Sequence, residues 1–273
     1  MAETARGNSP VASAFASRAS RARELAKAGG PARAALAFAA ALFEAQGIAS
    51  ARLEEEASGR GLRGRLEGDA WAVLACRRAL FAAIAAAAPA GGEVAEEAEE
   101  RSEEDEETAS ARLLVYWSGE TEAQYDYLSR ALLRPYVEVL AKRGVETDRR
   151  PLPGHCPFCG GRPGLAVRRE LPETNGATRF LACALCGGEW PVGRIRCPAC
   201  EEENPEKLPV FHDDRHPLAR VEACETCRRY VKSLDLSLDA RPIPEVDELL
   251  SISLDLWAAE NGYARLEPGI AGL

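Results

Sequence analysis

Two stretches of equal length decide how this chain folds: residues 156–186, CPFCGGRPGLAVRRELPETNGATRFLACALC, and residues 197–227, CPACEEENPEKLPVFHDDRHPLARVEACETC. Each stretch begins and ends with a C-x-x-C pair and holds 23 residues between its two pairs. Adding 41 to any cysteine position in the first stretch gives its counterpart in the second. This internal repeat predicts two similar modules in tandem.

The cysteine pairs are typical of metal sites. In C-x-x-C a tight turn aims both sulfurs at one point, and two pairs supply the four thiolates of a tetrahedral shell for zinc or a single iron. Duplication of a self-contained unit preserves its internal spacing, so we expect each stretch to bind its own ion. The predicted ligands are Cys156, Cys159, Cys183 and Cys186 for site 1, and Cys197, Cys200, Cys224 and Cys227 for site 2.

Other uses of these cysteines are less consistent with the sequence. Four disulfides are typical of a secreted scaffold, but the opening residues MAETARGNSP lack the charged and apolar segments of a signal peptide. A thioredoxin-type redox role does not need four regularly spaced pairs. A metal is therefore favoured, and the spacing leaves zinc and iron both open because both accept four thiolates.

The net charge of −9 comes from one block of sequence. Residues 93–108 hold ten acidic residues and one base, so the remainder has 33 bases and 33 acids. A block of like charge buries little apolar surface, and we expect an acidic disordered loop there. No run of 18 apolar residues free of charge is present, so we predict no membrane segment.

The alanine-rich N-terminal half, residues 1–146, predicts an α-helical domain of four or five helices. Cys76 stands alone on the third helix and is interpreted as a core residue. The expected helices cover Val11–Lys27, Pro31 to about Gln46, Asp69–Ala88, and a segment from a Thr121/Gln124 capping box to Arg143, followed by Gly144 as the C-cap.

The C-terminal half predicts two small β-rich modules, residues 155–193 and 194–236, and a helical extension, residues 237–273. The fold class is therefore α+β, an N-terminal α-helical domain followed by two tandem rubredoxin- or zinc-ribbon-like metal modules. Trp190, four residues beyond Cys186, is expected to cover site 1, and Tyr230 follows Cys227 in a similar way but one residue closer. The expected elements are strands Leu165–Arg169, Thr178–Ala182, Leu208–His212 and Ala219–Ala223, an Asn175-Gly176 turn, and a helix over Val246–Asn261.

The sequence contains no recognisable catalytic set, neither a Ser/His/Asp constellation nor a phosphate-binding or dinucleotide-binding loop. The three histidines, His155, His212 and His216, are interpreted as surface or supporting groups because eight cysteines already fill both shells. A closed tetrathiolate shell leaves no open position for a substrate, and ligated thiolates are poor nucleophiles. We therefore expect a protein that is not an enzyme.

A zinc-ribbon nucleic-acid-binding or transcription-related protein is the alternative. The module region 151–232 holds 12 basic and 11 acidic residues, whereas a phosphate-binding surface needs clustered positive charge. Only the arginine pairs 194/196 and 228/229 offer a local patch, so nucleic acid is not an expected partner.

Three motifs carry a family resemblance: HCPFCGGRPG at 155–164, LACALCGGEWPVGRIRCPAC at 181–200 and CETCRRYVKSLDL at 224–236. On a helical N-terminal half they resemble the FdhE family of formate dehydrogenase accessory proteins. The resemblance implies a cytoplasmic, non-catalytic maturation factor that binds the catalytic subunit of formate dehydrogenase and supports its assembly or activation. The paired rubredoxin-like sites of that family imply iron at the eight cysteines named above, with zinc as the alternative.

Overall fold

The computed structural model of the protein describes residues 9–119, 126–172, 176–270 and 272. Within these ranges a helical N-terminal half is followed by a seven-stranded sheet, and the predicted α+β class is confirmed. The helices of the N-terminal half are α1 (Pro10–Lys27), α2 (Arg33–Gly59), α3 (Leu66–Leu74), α4 (Arg77–Ala87), α5 (Glu93–Glu103), α6 (Glu106–Ser118) and α7 (Tyr127–Arg143).

The core of the helical half forms where α1, α2 and α7 meet. Phe15 and Phe43 pack with ring centroids 6.3 Å apart, and Tyr136, fully buried in the same cluster, packs against Trp117 with ring centroids 6.0 Å apart. Helix α7 ends at Gly144, which has the predicted left-handed conformation (φ +67°). At its other end, Asp126 accepts a hydrogen bond from the Ser129 backbone N–H at 2.9 Å, and the predicted capping box lies outside the described residues.

The prediction of one helix over Asp69–Ala88 is wrong. Helices α3 and α4 meet at a bend of 59°, with Cys76 at the break. The bend lets Val73 on α3 and Leu80 on α4 both enter the core, so tertiary packing overrides the continuous helical propensity of the sequence. Cys76 is buried as predicted, and burial raises the pKa of its thiol to about 11.

The prediction of a disordered loop at residues 93–108 is also wrong, because this block forms α5 and the first turn of α6. Ala95 and Ala98 face the core, and between them the glutamates face solvent. Arg101 follows one turn later and donates to Asp126 Oδ1 at 2.7 Å and to Ser129 Oγ at 2.9 Å. Two small residues and one paired base are enough to dock a helix whose other side is uniformly acidic.

By length and composition alone, α2 could cross a membrane, as could the bent pair α3–α4 taken together. Half of the apolar window of α2 is buried inside the protein, where it packs against α1, α4 and α7. A core helix passes the same test, so this feature is weak evidence for a membrane span.

The C-terminal half forms one sheet in the order β3-β2-β1-β6-β5-β4, with β7 also paired to β6. Each module contributes an antiparallel three-stranded meander, and the parallel pairing of β1 with β6 joins the two meanders. The strands are β1 (Pro163–Glu170), β2 (Ala177–Cys183), β3 (Glu189–Pro191), β4 (Val210–His212), β5 (Ala219–Ala223), β6 (Arg229–Asp235) and β7 (Ala264–Arg265).

The sequence repeat is visible in the strand register. Leu181 on β2 pairs with Trp190 on β3, and Glu222 on β5, which stands 41 positions after Leu181, pairs with Val231 on β6. Trp190 is therefore equivalent to Val231, and Tyr230 lies one residue before that position, as its closer spacing to Cys227 indicates. Because side chains alternate along a strand, this difference places Tyr230 on the opposite face of the sheet.

The C-terminal extension covers one face of the sheet. Helix α8 (Pro244–Asp247), a 3₁₀ turn (Glu248–Ser251) and helix α9 (Ile252–Glu260) replace the single predicted helix. The helix is interrupted because the Glu248 carbonyl accepts a hydrogen bond from the buried Lys232 ammonium at 2.9 Å. Helix α9 then packs on β5 and β6 in a small core of Ala219, Val221, Ala223, Tyr230, Leu254, Ala258 and Tyr263.

Candidate metal centres

The fold brings the eight cysteines together in the two sets that the repeat predicts. Within each set all four sulfurs lie within 4.8 Å of one another. Sulfur–sulfur distances are 3.5 Å (Cys159–Cys183) and 3.6 Å (Cys156–Cys186) in site 1, and 3.7 Å for both Cys197–Cys227 and Cys200–Cys224 in site 2.

These distances fit a tetrahedral metal shell. Four thiolates at about 2.3 Å from a central ion lie about 3.8 Å apart. A disulfide instead needs about 2.05 Å between its sulfurs. The arrangement therefore fits one ion in each set and does not fit four disulfides.

All four C-x-x-C turns have the same backbone geometry. The residue after the second cysteine lies in the left-handed region and donates its N–H to the carbonyl of the first cysteine, at 2.9 to 3.0 Å. Glycine fills this position twice in site 1, as the C-P-x-C-G pattern indicates. The residues at this position are Gly160 (φ +65°), Gly187 (φ +68°), Glu201 (φ +62°) and Arg228 (φ +56°).

Backbone N–H groups point at the sulfurs in both sites. Leu185 N–H donates to Cys183 Sγ at 3.3 Å in the second turn of site 1, and Ala199 N–H donates to Cys197 Sγ at 3.4 Å in the first turn of site 2. Such donors stabilise thiolates more than neutral thiols. The turns are therefore arranged to hold deprotonated cysteines, the form that binds a metal.

Without a metal, four deprotonated sulfurs would be hard to keep together. Burial raises the pKa of Cys183 in site 1 well above its ordinary value, and burial also raises the pKa of Cys197 in site 2. A bound cation would offset the repulsion among the thiolates. The donor set, the spacing and the N–H groups thus all fit a resident metal ion.

Site 1 lies in the main core of the protein. All four of its cysteines are buried in the same cluster as the helical half. Next to its second turn is a buried arginine–glutamate cluster that joins α1, α7 and α8. Its members are Arg18, Arg134, Glu138 and Glu245.

The arginine–glutamate cluster is in direct contact with the site 1 turn. A Cβ placed on Gly187 would lie 3.4 Å from Arg18 Nη2 and 3.7 Å from Arg134 Nη2. Burial alone would raise the pKa of Glu245. Arg134 and Arg18 lower the pKa by a larger amount, so the net shift is downward and the carboxylate stays charged. Sequence reasoning missed this cluster, although an Arg–Glu pair at i, i+4 on an apolar helix was a signal for it.

Site 2 lies at the surface. Cys200 is exposed and Cys227 is half-buried, whereas Cys197 and Cys224 are buried. The two repeats therefore place chemically similar sites in different surroundings, one enclosed by the helical half and one reachable by solvent.

Outside the two cysteine sets, the described residues form no other group of metal-binding side chains of this kind. His155 Nδ1 lies 3.0 Å from the Pro153 carbonyl, and His216 Nε2 lies 2.8 Å from Ser253 Oγ. Neither imidazole belongs to a cysteine set.

Comparison with known proteins extends the resemblance to the whole chain. Residues 155–194 match the central domain of the FdhE family model, and residues 195–270 match its C-terminal domain. The crystal structure of the FdhE protein from Pseudomonas aeruginosa superposes with a TM-score of 0.68 over 97% of both chains, at 26% sequence identity. The chain belongs to the FdhE family. The structural match includes the helical half, which the cysteine motifs alone do not.

Curated FdhE homologues align with a smaller part of this chain than the crystal structure does. FdhE homologues from Aquifex aeolicus and Pseudomonas putida are 29% and 34% identical over 140 and 162 residues. These alignments cover 51% and 54% of this chain, and the chain spans about half the length of the two relatives, 49% and 50%.

Proposed function

We propose that this chain is an accessory protein of formate dehydrogenase that binds the catalytic subunit of that enzyme and supports its assembly or activation. The observation that carries the proposal is the match to an FdhE protein over 97% of both chains. Both cysteine sets are also complete here, so the family's C-terminal architecture is intact. In this role the chain acts by binding, has no catalytic activity of its own and works in the cytoplasm, as the family resemblance implies.

We propose further that each cysteine set holds one iron ion, with zinc as the alternative. An iron held by four thiolates supplies a one-electron change of charge, whereas zinc supplies only a fixed cross-link. In either case the chain's own residues hold the geometry: four left-handed turns aim the sulfurs, and backbone N–H groups support their charge.

The metal modules give the protein a rigid C-terminal surface for its client. The parallel β1–β6 pairing ties the two modules into one sheet, and the arginine–glutamate cluster ties site 1 to α1 and α7. A small-cored module of this kind depends on its ion to fold. Loss of the ion from site 1 would therefore disturb the helical half as well.

Co-purification tests the proposed function. The tagged chain and the formate dehydrogenase catalytic subunit are produced together in a host without its own FdhE-family gene, and formate dehydrogenase activity is measured in the extract. We expect the subunit to co-elute and the activity to depend on the chain. The double variant Cys156→Ser/Cys159→Ser should abolish both, whereas Cys76→Ser, outside both sites, should not.

Absence of co-elution, together with activity that does not depend on the chain, would contradict the accessory role. Gel filtration of the chain with the catalytic subunit, with and without reductant, tests the redox role of iron, and identical elution would remove that role. Filter binding to DNA and RNA at low salt tests the alternative, because tight and salt-sensitive retention would indicate a nucleic-acid-binding zinc ribbon.

A further inference from the structure

The face of the sheet opposite α9 contains a cavity of about 220 Å³ beside site 2. Strands β2, β5 and β6 form its floor, and the segment 194–199 forms one wall. Because side chains alternate along β5, Val221 and Ala223 face α9 while Arg220 and Glu222 face this cavity. Cys197 and Cys224 of site 2 close one end of it.

The cavity wall is rich in arginine. Its lining contains one carboxylate, Glu222, which accepts from Arg179 Nε and from Arg220 Nη2, each at 2.8 Å. Glu222 is therefore already occupied by two guanidinium groups. The arginines of the lining are Arg179, Arg194, Arg196, Arg220 and Arg229.

Two of these arginines have no carboxylate partner within the described part of the chain. Arg229 is half-buried and its guanidinium makes no ion pair or hydrogen bond there, while Arg194 donates only to the Ala177 carbonyl, at 2.8 Å. Arg194 is exposed, but the Arg229 guanidinium is partly desolvated without a counter-charge, which is costly. An arrangement of this kind is stabilised when an anion enters.

We propose that this cavity binds an oxyanion, held by the guanidinium groups of Arg229 and Arg194. Guanidinium matches carboxylate and phosphate oxygens with two parallel hydrogen bonds. The volume is below the ~300–1,000 Å³ of sites for drug-sized ligands, so it admits a phosphate ion or the ends of acidic side chains rather than a nucleotide. This inference goes beyond the proposed function and does not depend on it.

The surrounding charges make anion binding specific to the cavity. Outside residues 93–108 the chain holds 33 bases and 33 acids, so the arginines of the lining are a local concentration of positive charge on a protein that is otherwise balanced. Arg196 is paired with Glu201 and Glu203 outside the lining and contributes little. A competing role for the arginines is to offset the thiolate charge of site 2, so the experiment must separate the two.

Isothermal titration calorimetry on the metal-loaded full chain tests the site. The probes are inorganic phosphate and an end-blocked hexaglutamate peptide, with hexaglutamine as the uncharged control. The first variant is Arg229→Gln, which removes the charge. The second is Arg229→Lys, which keeps the positive charge but loses the planar guanidinium that can make two parallel hydrogen bonds. The matched control is Arg241→Gln, an exposed arginine outside the cavity. Metal content and circular dichroism are recorded for every variant.

We expect saturable binding of at least one charged probe, weaker at high salt, and no binding of hexaglutamine. Arg229→Gln should weaken binding about tenfold or more, Arg229→Lys less, and Arg241→Gln should have no effect. Binding of phosphate identifies a free anion as the source, and binding of the peptide alone identifies an acidic protein segment.

Two results would overturn the proposal. One is that neither charged probe binds, or that Arg229→Gln and Arg241→Gln bind equally well. The other is that Arg229→Gln loses metal from site 2 while its affinity for the probe is unchanged, since the arginines would then serve the thiolates alone.

Discussion

At the scale of single residues, the position after each cysteine pair controls the shape of the turn. Site 1 has glycine there in both turns, whereas site 2 has Glu201 and Arg228 in the same left-handed conformation. A side chain in this region costs about 1–2 kcal/mol. Site 2 therefore holds its turns against backbone strain, and Arg228 offsets part of it by stacking 4.0 Å from the centre of the Tyr263 ring.

We predict that Gly187→Ala destabilises the metal-loaded protein by about 1–2 kcal/mol, because Ala is strained at φ +68°. The new Cβ also meets the arginine–glutamate cluster. The matched control is Gly68→Ala in α3, where a Cβ meets no atom within 4 Å and should add about 0.5–1 kcal/mol of stability. Guanidinium denaturation followed by circular dichroism compares the two, and equal midpoints would contradict the prediction.

Burial of Cys76 should protect its thiol from chemical modification. With its pKa raised to about 11, the thiol stays protonated and unreactive at pH 8. A thiol reagent applied to the folded, metal-loaded protein should therefore leave Cys76 unmodified until the protein unfolds. Mass spectrometry of the alkylated protein checks this, and rapid labelling of Cys76 in the folded state would count against its place in the core.

At the scale of elements, helix α5 depends on one buried ion pair. The Arg101 and Asp126 side chains are only 5% and 7% exposed, so removing the base leaves a buried carboxylate unpaired. We predict that Arg101→Ala costs about 3–5 kcal/mol. The same change at Arg78, whose pair with Glu103 is exposed and 3.7 Å long, should cost about 0–1 kcal/mol. Similar denaturation midpoints for the two variants would show that α5 docks by other contacts.

The elements also show how far the sequence alone could reach. The grouping of the cysteines was predictable because it follows from spacing within each repeat. The docking of α5 was not predicted because the charge of residues 93–108 was counted as one block. That count ignores Ala95 and Ala98, whose three-residue spacing puts them on one face of a helix. The β1–β6 pairing and the break at Glu248 depend on contacts between residues distant in sequence, which no local pattern reports.

At the scale of the whole molecule, the two sites should behave differently although their ligands are equivalent. Cys200 of site 2 is exposed, whereas site 1 is enclosed by the helical core. We predict that a chelator removes the ion of site 2 first and leaves the helical content intact, and that loss of the second ion lowers the helical signal. Metal release followed together with circular dichroism checks this order. Simultaneous loss of both ions would show that the sheet couples them.

We propose above that each half of the duplicated segment holds one metal ion in a shell of four sulfurs. Metal analysis and a visible spectrum of the freshly purified chain test it most directly. We expect two ions per chain, with sulfur-to-iron charge transfer if the metal is iron. A protein that is metal-free yet fully folded, with the cysteines of both sets open to alkylation, would contradict it.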